Sequence, residues 1–232
     1  MNGKYKEVFK SSLHDREAFW AKAAEDVRWF KKYDQVLDAS NPPFYKWFKG
    51  GTINTCFNAL DRHVEEGNGE RTALIYDSAM SNTKKKYSYK QLTDEVSILA
   101  GALQRQGVVK GDRIIIYMPM IPEAIMAMLA CARIGAIHSV VFGGFASPEL
   151  ASRIDDSKAK LILSASCGLE PGRVVEYKPL LVEAIKLAKH KPDKTIIFRR
   201  DQHKAILDGN DIDWIDFIKS APRAPCTECD AN

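Results

Sequence analysis

Between residues 113 and 198 the chain repeats one alternation. Arg113 to Tyr117, Ile137 to Val141, Lys160 to Ser164 and Lys194 to Phe198 are apolar runs of strand length, and the segments between them, about 122–134, 148–157 and 178–189, carry apolar residues at helical spacing. Strands without polar alternation are covered on both faces, which is the condition of a parallel sheet. Right-handed crossovers then make it doubly wound, with helices on both sides. The expected fold class is therefore α/β: a doubly wound, mostly parallel sheet. Gly135 reads as the C-terminal cap of the first helix, and Ser147-Pro148 as the N-cap and first-turn proline of the second. A sheet ending at Lys194 to Phe198 would leave an apolar edge there, prone to pair with other chains.

What precedes this alternation reads as a helical N-terminal cap over residues 1–62. Asp15 caps a helix to about Val27, with Phe19, Trp20, Ala23 and Val27 on one face. The aromatic stretch Trp29-Phe30 and Phe44 to Phe48 reads as an extended segment whose rings are core. A second helix, about Ile53 to Val64, is ended by Gly67. The larger domain, 63–232, opens with a hairpin, Thr72 to Tyr76 and Lys86 to Tyr89, whose solvated turn takes in Lys84-Lys85-Lys86. Ser88 and Gln91 form a capping box for a helix burying Leu92, Val96, Leu99 and Leu103, closed by Gly107. Residues 201–232 read as one short helix, Asp213 to Ser220, and a loosely held polar tail.

Several classes are excluded. The 34 basic and 30 acidic residues are interspersed, so the net charge of +4 describes a mixed surface and no nucleic-acid footprint. No apolar stretch approaches the ~20 residues of a membrane span, and the first residues carry no signal core or transit-peptide pattern. Five cysteines, odd and sparse, suit a reducing compartment. Cys56 and Cys131 fall on apolar helix faces, while Cys226-x-x-Cys229 lacks the second ligand pair of a structural zinc site. The first parallel strand runs into Tyr117-Met118-Pro119-Met120-Ile121-Pro122, which cannot lie against a pyrophosphate as a dinucleotide-binding glycine turn does. Neither a Walker-type phosphate loop nor a Gly-x-Ser-x-Gly nucleophile elbow occurs.

Two glycine-bearing loops remain as candidates, both placed by the pattern at strand carboxyl ends, where open α/β sheets bind ligands. Gly143 and Gly144, between Phe142 and Phe145, either bring backbone amides to a ligand or make a tight strand-to-helix turn. In Glu170-Pro171-Gly172-Arg173 the guanidinium either forks onto a phosphate or pairs with Glu170 or Glu176 in solvent. His138, inside an apolar strand, reads as a core histidine.

The series Ile116 to Ala124, Ala130-Cys131-Ala132-Arg133-Ile134-Gly135-Ala136-Ile137-His138, Phe142-Gly143-Gly144-Phe145-Ala146 and Glu170-Pro171-Gly172-Arg173 resembles the short-chain acyl-CoA synthetases. These are the acetyl- and propionyl-CoA synthetase branch of the adenylate-forming, AMP-binding superfamily, and the likeness is greatest to its mitochondrial, propionate-preferring members. Phe19-Trp20, Trp29 and Trp47-Phe48 resemble that branch's N-terminal segment. The resemblance implies a two-step ligation: a short-chain carboxylate and ATP, with Mg2+, give acyl-AMP and diphosphate, and the CoA thiol then displaces AMP. It implies that Glu170, Pro171, Gly172 and Arg173 line the CoA nucleotide site, with Arg173 on a CoA phosphate and Gly143 and Gly144 near the CoA channel. Glu170 stands where acetyl-CoA synthetases have an arginine, so its carboxylate is not expected on phosphate. The family's ATP loop, acyl pocket and lid with the catalytic lysine do not occur in these residues, so no catalytic residue and no metal ligand is expected among them. The chain thus reads as the first part of the large domain with its cap, and its expected partners are the three substrates and the remainder of the enzyme or a full-length copy. A non-catalytic interaction module is the alternative. The resemblance places the protein in the mitochondrial matrix, with the cytoplasm as the alternative.

Overall fold

The computed structural model describes residues 3–232. The chain divides into two compact units, one running to Asn54 and taking in Glu228–Asn232, the other Thr55–Thr227.

The first unit is partly β, where a helical cap was expected. It starts with α1 (Gly3–His14), a helix not singled out from the sequence, whose Tyr5, Val8, Phe9 and Leu13 recur at helical spacing and are exposed. Asp15 caps the next helix as anticipated, its carboxylate accepting from the Ala18 amide at 3.4 Å, but α2 (Arg16–Ala23) ends four residues before Val27, which is extended. The aromatic run folds back as a hairpin, β1 (Gln35–Asp38) antiparallel to β2 (Lys46–Lys49). Trp29, Tyr33 and Phe48 form a mutual cluster with ring centroids 5.0 to 5.4 Å apart. Ile53 belongs to strand β3 (Thr52–Ile53), which pairs with Cys229–Asp230, and not to a helix.

In the second unit the helical stretch begins at residue 55 and is wound as π-helix over Phe57–Asp61 and Val64–Asn68, with Gly67 at φ 81. The hairpin β4 (Thr72–Ser78) and β5 (Thr83–Ser88) follows; Lys84 to Lys86 lie in β5 itself, not in the turn, and Lys84 pairs with Asp77 at 3.0 Å. The capping box forms reciprocally at 3.2 and 2.9 Å and opens α3 (Tyr89–Arg105), whose predicted apolar face is buried.

The sheet contains β6 (Arg113–Met118), β7 (Ile137–Phe142), β8 (Leu161–Ala165), β11 (Lys194–Phe198) and β12 (Asp211–Asp213), in the order β7-β6-β8-β11-β12 with every pair parallel. Crossovers run through α4 (Pro122–Arg133), α5 (Ser147–Ser157) and α6 (Tyr177–Leu187); a short hairpin of β9 (Cys167–Glu170) and β10 (Arg173–Glu176) precedes α6. Alternate residues of one strand feed opposite layers: Ile114 and Ile116 pack with Leu99, Leu103 and Ala127, while Ile115 and Tyr117 pack with Leu150, Ile154 and Leu181. This is the doubly wound α/β arrangement that the four apolar runs called for. Among the described residues no helix is long and apolar enough to cross a membrane.

Four expectations are corrected. The side beyond β11 is covered by β12, so the sheet's edges are β12 and β7, and the apolar exposed one is β7, where Ile137, Val140 and Phe142 are all more than half exposed. His138 sits on that edge and is exposed, not core. Ala146 is the N-cap of α5; Ser147 is its first residue, and its hydroxyl donates to the Leu180 carbonyl at 3.0 Å, tying α5 to α6. The tail is pinned: Ala224 N donates to Ser97 O at 2.9 Å, Thr227 N to Arg133 O at 2.7 Å, and Arg133 Nε to Ala224 O at 2.6 Å. The strap comes so close that a Cβ on Gly101, inside α3, would lie 1.7 Å from the Pro222 carbonyl oxygen.

Candidate functional site

A sheet of this order reverses direction between its first and third strands in sequence, here β6 and β8, and the crevice at their carboxyl ends is where such folds take ligands. A cleft of about 440 Å³ lies there. Its floor is Met118 to Ile121 at the end of β6, one side is Val140 to Gly143 of β7 and its loop, the other is Gly168 to Glu170 of β9, and the β4 hairpin contributes Tyr76 to Met80.

The geometry turns on two tyrosines whose rings lie 5.0 Å apart. Tyr117, at the end of β6, donates from its hydroxyl to Phe145 O at 3.1 Å and accepts from Gly144 N at 3.2 Å. It therefore fixes the loop carrying Gly143 and Gly144. Tyr177, first residue of α6, sits between two glycines: a Cβ on Gly143 would lie 2.2 Å from its Oη, and one on Gly168 2.5 Å. Burial raises the Tyr117 phenol, and burial with the neighbouring Tyr117 pushes Tyr177 up to about 12, so both keep their protons and remain donors at neutral pH.

The six sequence-predicted residues are not all on the cleft. Gly143 and Glu170 line it; Gly144, Pro171, Gly172 and Arg173 do not. Glu170 closes β9 and Arg173 opens β10, so Pro171-Gly172 is the turn of a hairpin, with Gly172 at φ 76. Across that turn Arg173 Nε and Nη2 reach Glu170 Oε2 at 2.8 and 2.6 Å. The Arg173 side chain is 70% exposed, so solvent holds this pair to about 0–1 kcal/mol and a stronger anion can displace it. Gly144, at φ +96, adopts the left-handed turn conformation and has open space where a Cβ would be.

Sequence reasoning missed Arg200. It follows β11, is buried to 8% exposure, lines the cleft, and donates from Nη1 to Cys167 O at 3.1 Å while its backbone N–H donates to Ser166 Oγ at 2.8 Å. A basic residue just past the carboxyl end of a parallel strand was the available signal. Among the described residues lining the cleft there is no histidine, cysteine or lysine. With apolar walls, the Arg200 guanidinium and the Tyr177 phenol, the cleft can hold an extended ligand with an anionic group.

Two family models match the chain: acetyl-coenzyme A synthetase N-terminus over residues 5–59, and AMP-binding enzyme over residues 60–227. The chain is 51% identical over 226 residues to "Acyl-CoA synthetase short-chain family member 3, mitochondrial" of Rattus norvegicus, which covers 97% of this chain and 33% of the relative. It is 46% identical over 211 residues to a propionate–CoA ligase of Salmonella typhimurium, covering 90% of this chain and 33% of that protein. The solved structure of an acetoacetyl-CoA synthetase from Streptomyces lividans superimposes with a TM-score of 0.86 over 98% of this chain and 35% of that one, at 22% identity, a likeness of fold. The chain spans about a third of the length of these relatives.

Proposed function

The chain belongs to the AMP-binding enzyme family, and on that premise we propose that it is the N-terminal part of an AMP-forming short-chain acyl-CoA ligase and supplies one wall of the CoA site. The reaction is the activation of a short-chain carboxylate by ATP to an acyl-adenylate, with diphosphate leaving, and displacement of AMP by the CoA thiol. A carboxylate is a poor electrophile, and exchanging oxide for AMP as the leaving group is what makes thiol attack feasible. Propionate, after one relative's printed name, or acetate, after the N-terminal family model, is the proposed acid, and the mitochondrial matrix is the proposed location, the first relative being named as mitochondrial.

One observation supports this reading above the rest: the cleft at the β6–β8 carboxyl ends has largely apolar walls, holds Arg200 within, and is lined by Glu170, whose ion-pair partner Arg173 is exposed beside it. Arg173 is assigned to a CoA phosphate, to which its fork turns from Glu170; Glu170, Pro171 and Gly172 present it, and Gly143 with Gly144 shapes the channel beside it. The uncovered β7 edge, with Ile137, Val140 and Phe142, is where the remainder of a ligase would pack. We assign magnesium no ligand among these residues. Among the described residues the one grouping of three potential ligands is Cys56, Asp61 and Cys226, two of them thiols, which a hard cation does not choose. It would come with ATP.

CoA calorimetry tests the assignment. Arg173→Ala is expected to weaken binding about 10- to 100-fold, the worth of a charge-assisted contact, and Glu170→Gln to strengthen it by releasing the fork. Unchanged affinity in both variants refutes the role of Arg173. Propionate-dependent ATP–diphosphate exchange by the 232 residues would refute the division of labour, because it places the adenylating groups among them.

A further inference from the structure

Outside the cleft lining, within the second unit, the helical stretch at 55–61, the end of α4 and the pinned strap bring two thiols, a guanidinium and a carboxylate together. The Sγ atoms of Cys56 and Cys226 and a carboxylate oxygen of Asp61 all lie within 4.8 Å of one another. Arg133 is buried and forks onto Asp61, Nη1 to Oδ2 at 2.7 Å and Nη2 to Oδ1 at 2.8 Å, while Nη1 also reaches Cys56 Sγ at 3.6 Å. Cys226 Sγ lies 3.6 Å from Asp61 Oδ2, so its one proton can go to that oxygen or to the Cys56 sulfur. The π-turn makes the convergence possible. In an α-helix Cys56 and Asp61, five apart, would point about 140° away from each other, whereas the wider turn over Phe57–Asp61 brings them to one face.

We propose that Cys56 and Cys226 are a thiol-oxidation site: hydrogen peroxide converts them to a reversible disulfide that locks the strap, residues 221–227, onto the helix at 55–61. A metal is the rival occupant and the geometry opposes it. Both oxygens of Asp61 are engaged by Arg133, a resident cation stands beside Cys56, and three ligands fall short of the four of a structural zinc site. The same guanidinium favours a thiolate at Cys56. The titration agrees in direction: hydrogen bonding from Cys226, with the Arg133 charge, outweighs burial and brings Cys56 below its ordinary 9, while Cys226 is pushed up. Cys56 is fully buried and Cys226 half-buried, so a small oxidant enters from the strap side.

The chemistry balances. The Cys56 thiolate attacks one peroxide oxygen; the O–O bond breaks, hydroxide leaves and takes a proton to become water, and Cys56 is a sulfenic acid. The Cys226 sulfur, its proton passing to Asp61 or solvent, then attacks the Cys56 sulfur. The S–S bond forms, the S–O bond breaks, and the second hydroxide leaves as water after taking a proton. Two thiols lose two electrons and two protons, and the peroxide becomes two waters. Closing the sulfurs to about 2.05 Å needs side-chain rotation and a small shift of the strap.

The test is hydrogen peroxide treatment of the intact 232-residue chain in native buffer, alkylation of remaining thiols, and digestion without reduction for mass spectrometry. Expected is a Cys56–Cys226 cross-linked peptide pair, cleaved by dithiothreitol, with Cys131 and Cys167 still alkylated. The oxidised protein should melt on the order of 5 °C higher than the reduced one, a shift absent in Cys226→Ser. Should that variant not fold, Arg133→Lys is used: it keeps a cation and should slow cross-linking without abolishing it. A Cys226–Cys229 disulfide, oxidation that spares Cys56, or an unchanged melting temperature overturns the proposal.

Discussion

Replacing Gly101 by alanine sets two physical rules against each other. Gly101 lies inside α3, where helix propensity alone favours alanine by about 1 kcal/mol. The strap opposes it, because the new Cβ would stand 1.7 Å from the Pro222 carbonyl oxygen and 2.8 Å from its carbon, backbone atoms that cannot rotate aside. The strap must lift. Lifting breaks two backbone hydrogen bonds, Ala224 N to Ser97 O and Thr227 N to Arg133 O, worth about 1 kcal/mol each. It also breaks the charge-assisted bond from Arg133 Nε to Ala224 O, worth about 1.5–3 kcal/mol. The sum of about 3.5–5 kcal/mol exceeds the propensity gain, so Gly101→Ala is expected to lose roughly 2.5–4 kcal/mol in urea denaturation followed by circular dichroism. Amide exchange at Ala224 should accelerate in step. Gly69→Ala is the control, since its Cβ would meet only ordinary contacts at 3.6 and 3.7 Å and should be close to neutral. A Gly101→Ala protein as stable as its parent, with Ala224 still protected, would refute the reasoning.

Removing one half of the buried pair, Asp61→Ala, strands the Arg133 guanidinium and is expected to cost about 3–5 kcal/mol; the double variant Asp61→Leu/Arg133→Met should recover much of that, and denaturation midpoints that simply add would count against the pairing. Glu123 is half-buried, and desolvation raises its carboxyl above 4.5. A raised acid favours the fold while protonated and loses that advantage as pH rises through its folded-state value, so Glu123→Gln should raise the melting temperature at pH 7 and have little effect at pH 4; equal shifts at both values would contradict this. Gly143→Ala would drive a methyl onto the Tyr177 hydroxyl and is expected to abolish CoA binding, with partial recovery on adding Tyr177→Phe, which removes the nearest atom; full affinity in the single variant would mean that the cleft is not the site.

Much of the fold was legible because burial on both faces writes itself into composition. The runs at 113–117 and 194–198 needed no context, and neither did the Ser88–Gln91 box, whose two hydrogen bonds are local in sequence. What escaped depends on partners distant in the chain. The run at 137–141 looks as buried as its neighbours, yet β7 is an edge, and edge position is a property of strand order. Strand β12 is only three residues, Asp211–Asp213, with too little alternation to register. The tail is polar and still fixed, because its anchors are backbone groups meeting Ser97 and Arg133. At the site, the glycines were visible as types, but their reason was not: Gly143 and Gly168 make room for one phenol contributed from the start of α6. Arg173 and Glu170 were correctly seen as capable of pairing in solvent, and they do.

Cys56 and Cys226, with sulfurs within 4.8 Å of each other, are each one residue from an end of the second unit, so its two ends lie close together. A unit whose ends meet behaves as a closed loop hung on one point of its chain. In the second unit taken by itself, nicking the 79–82 turn and joining residues 55 and 227 through a short linker would reorder that unit's polypeptide while keeping its strand order. Such a circular permutant offers a way to ask which crossover of the sheet forms first.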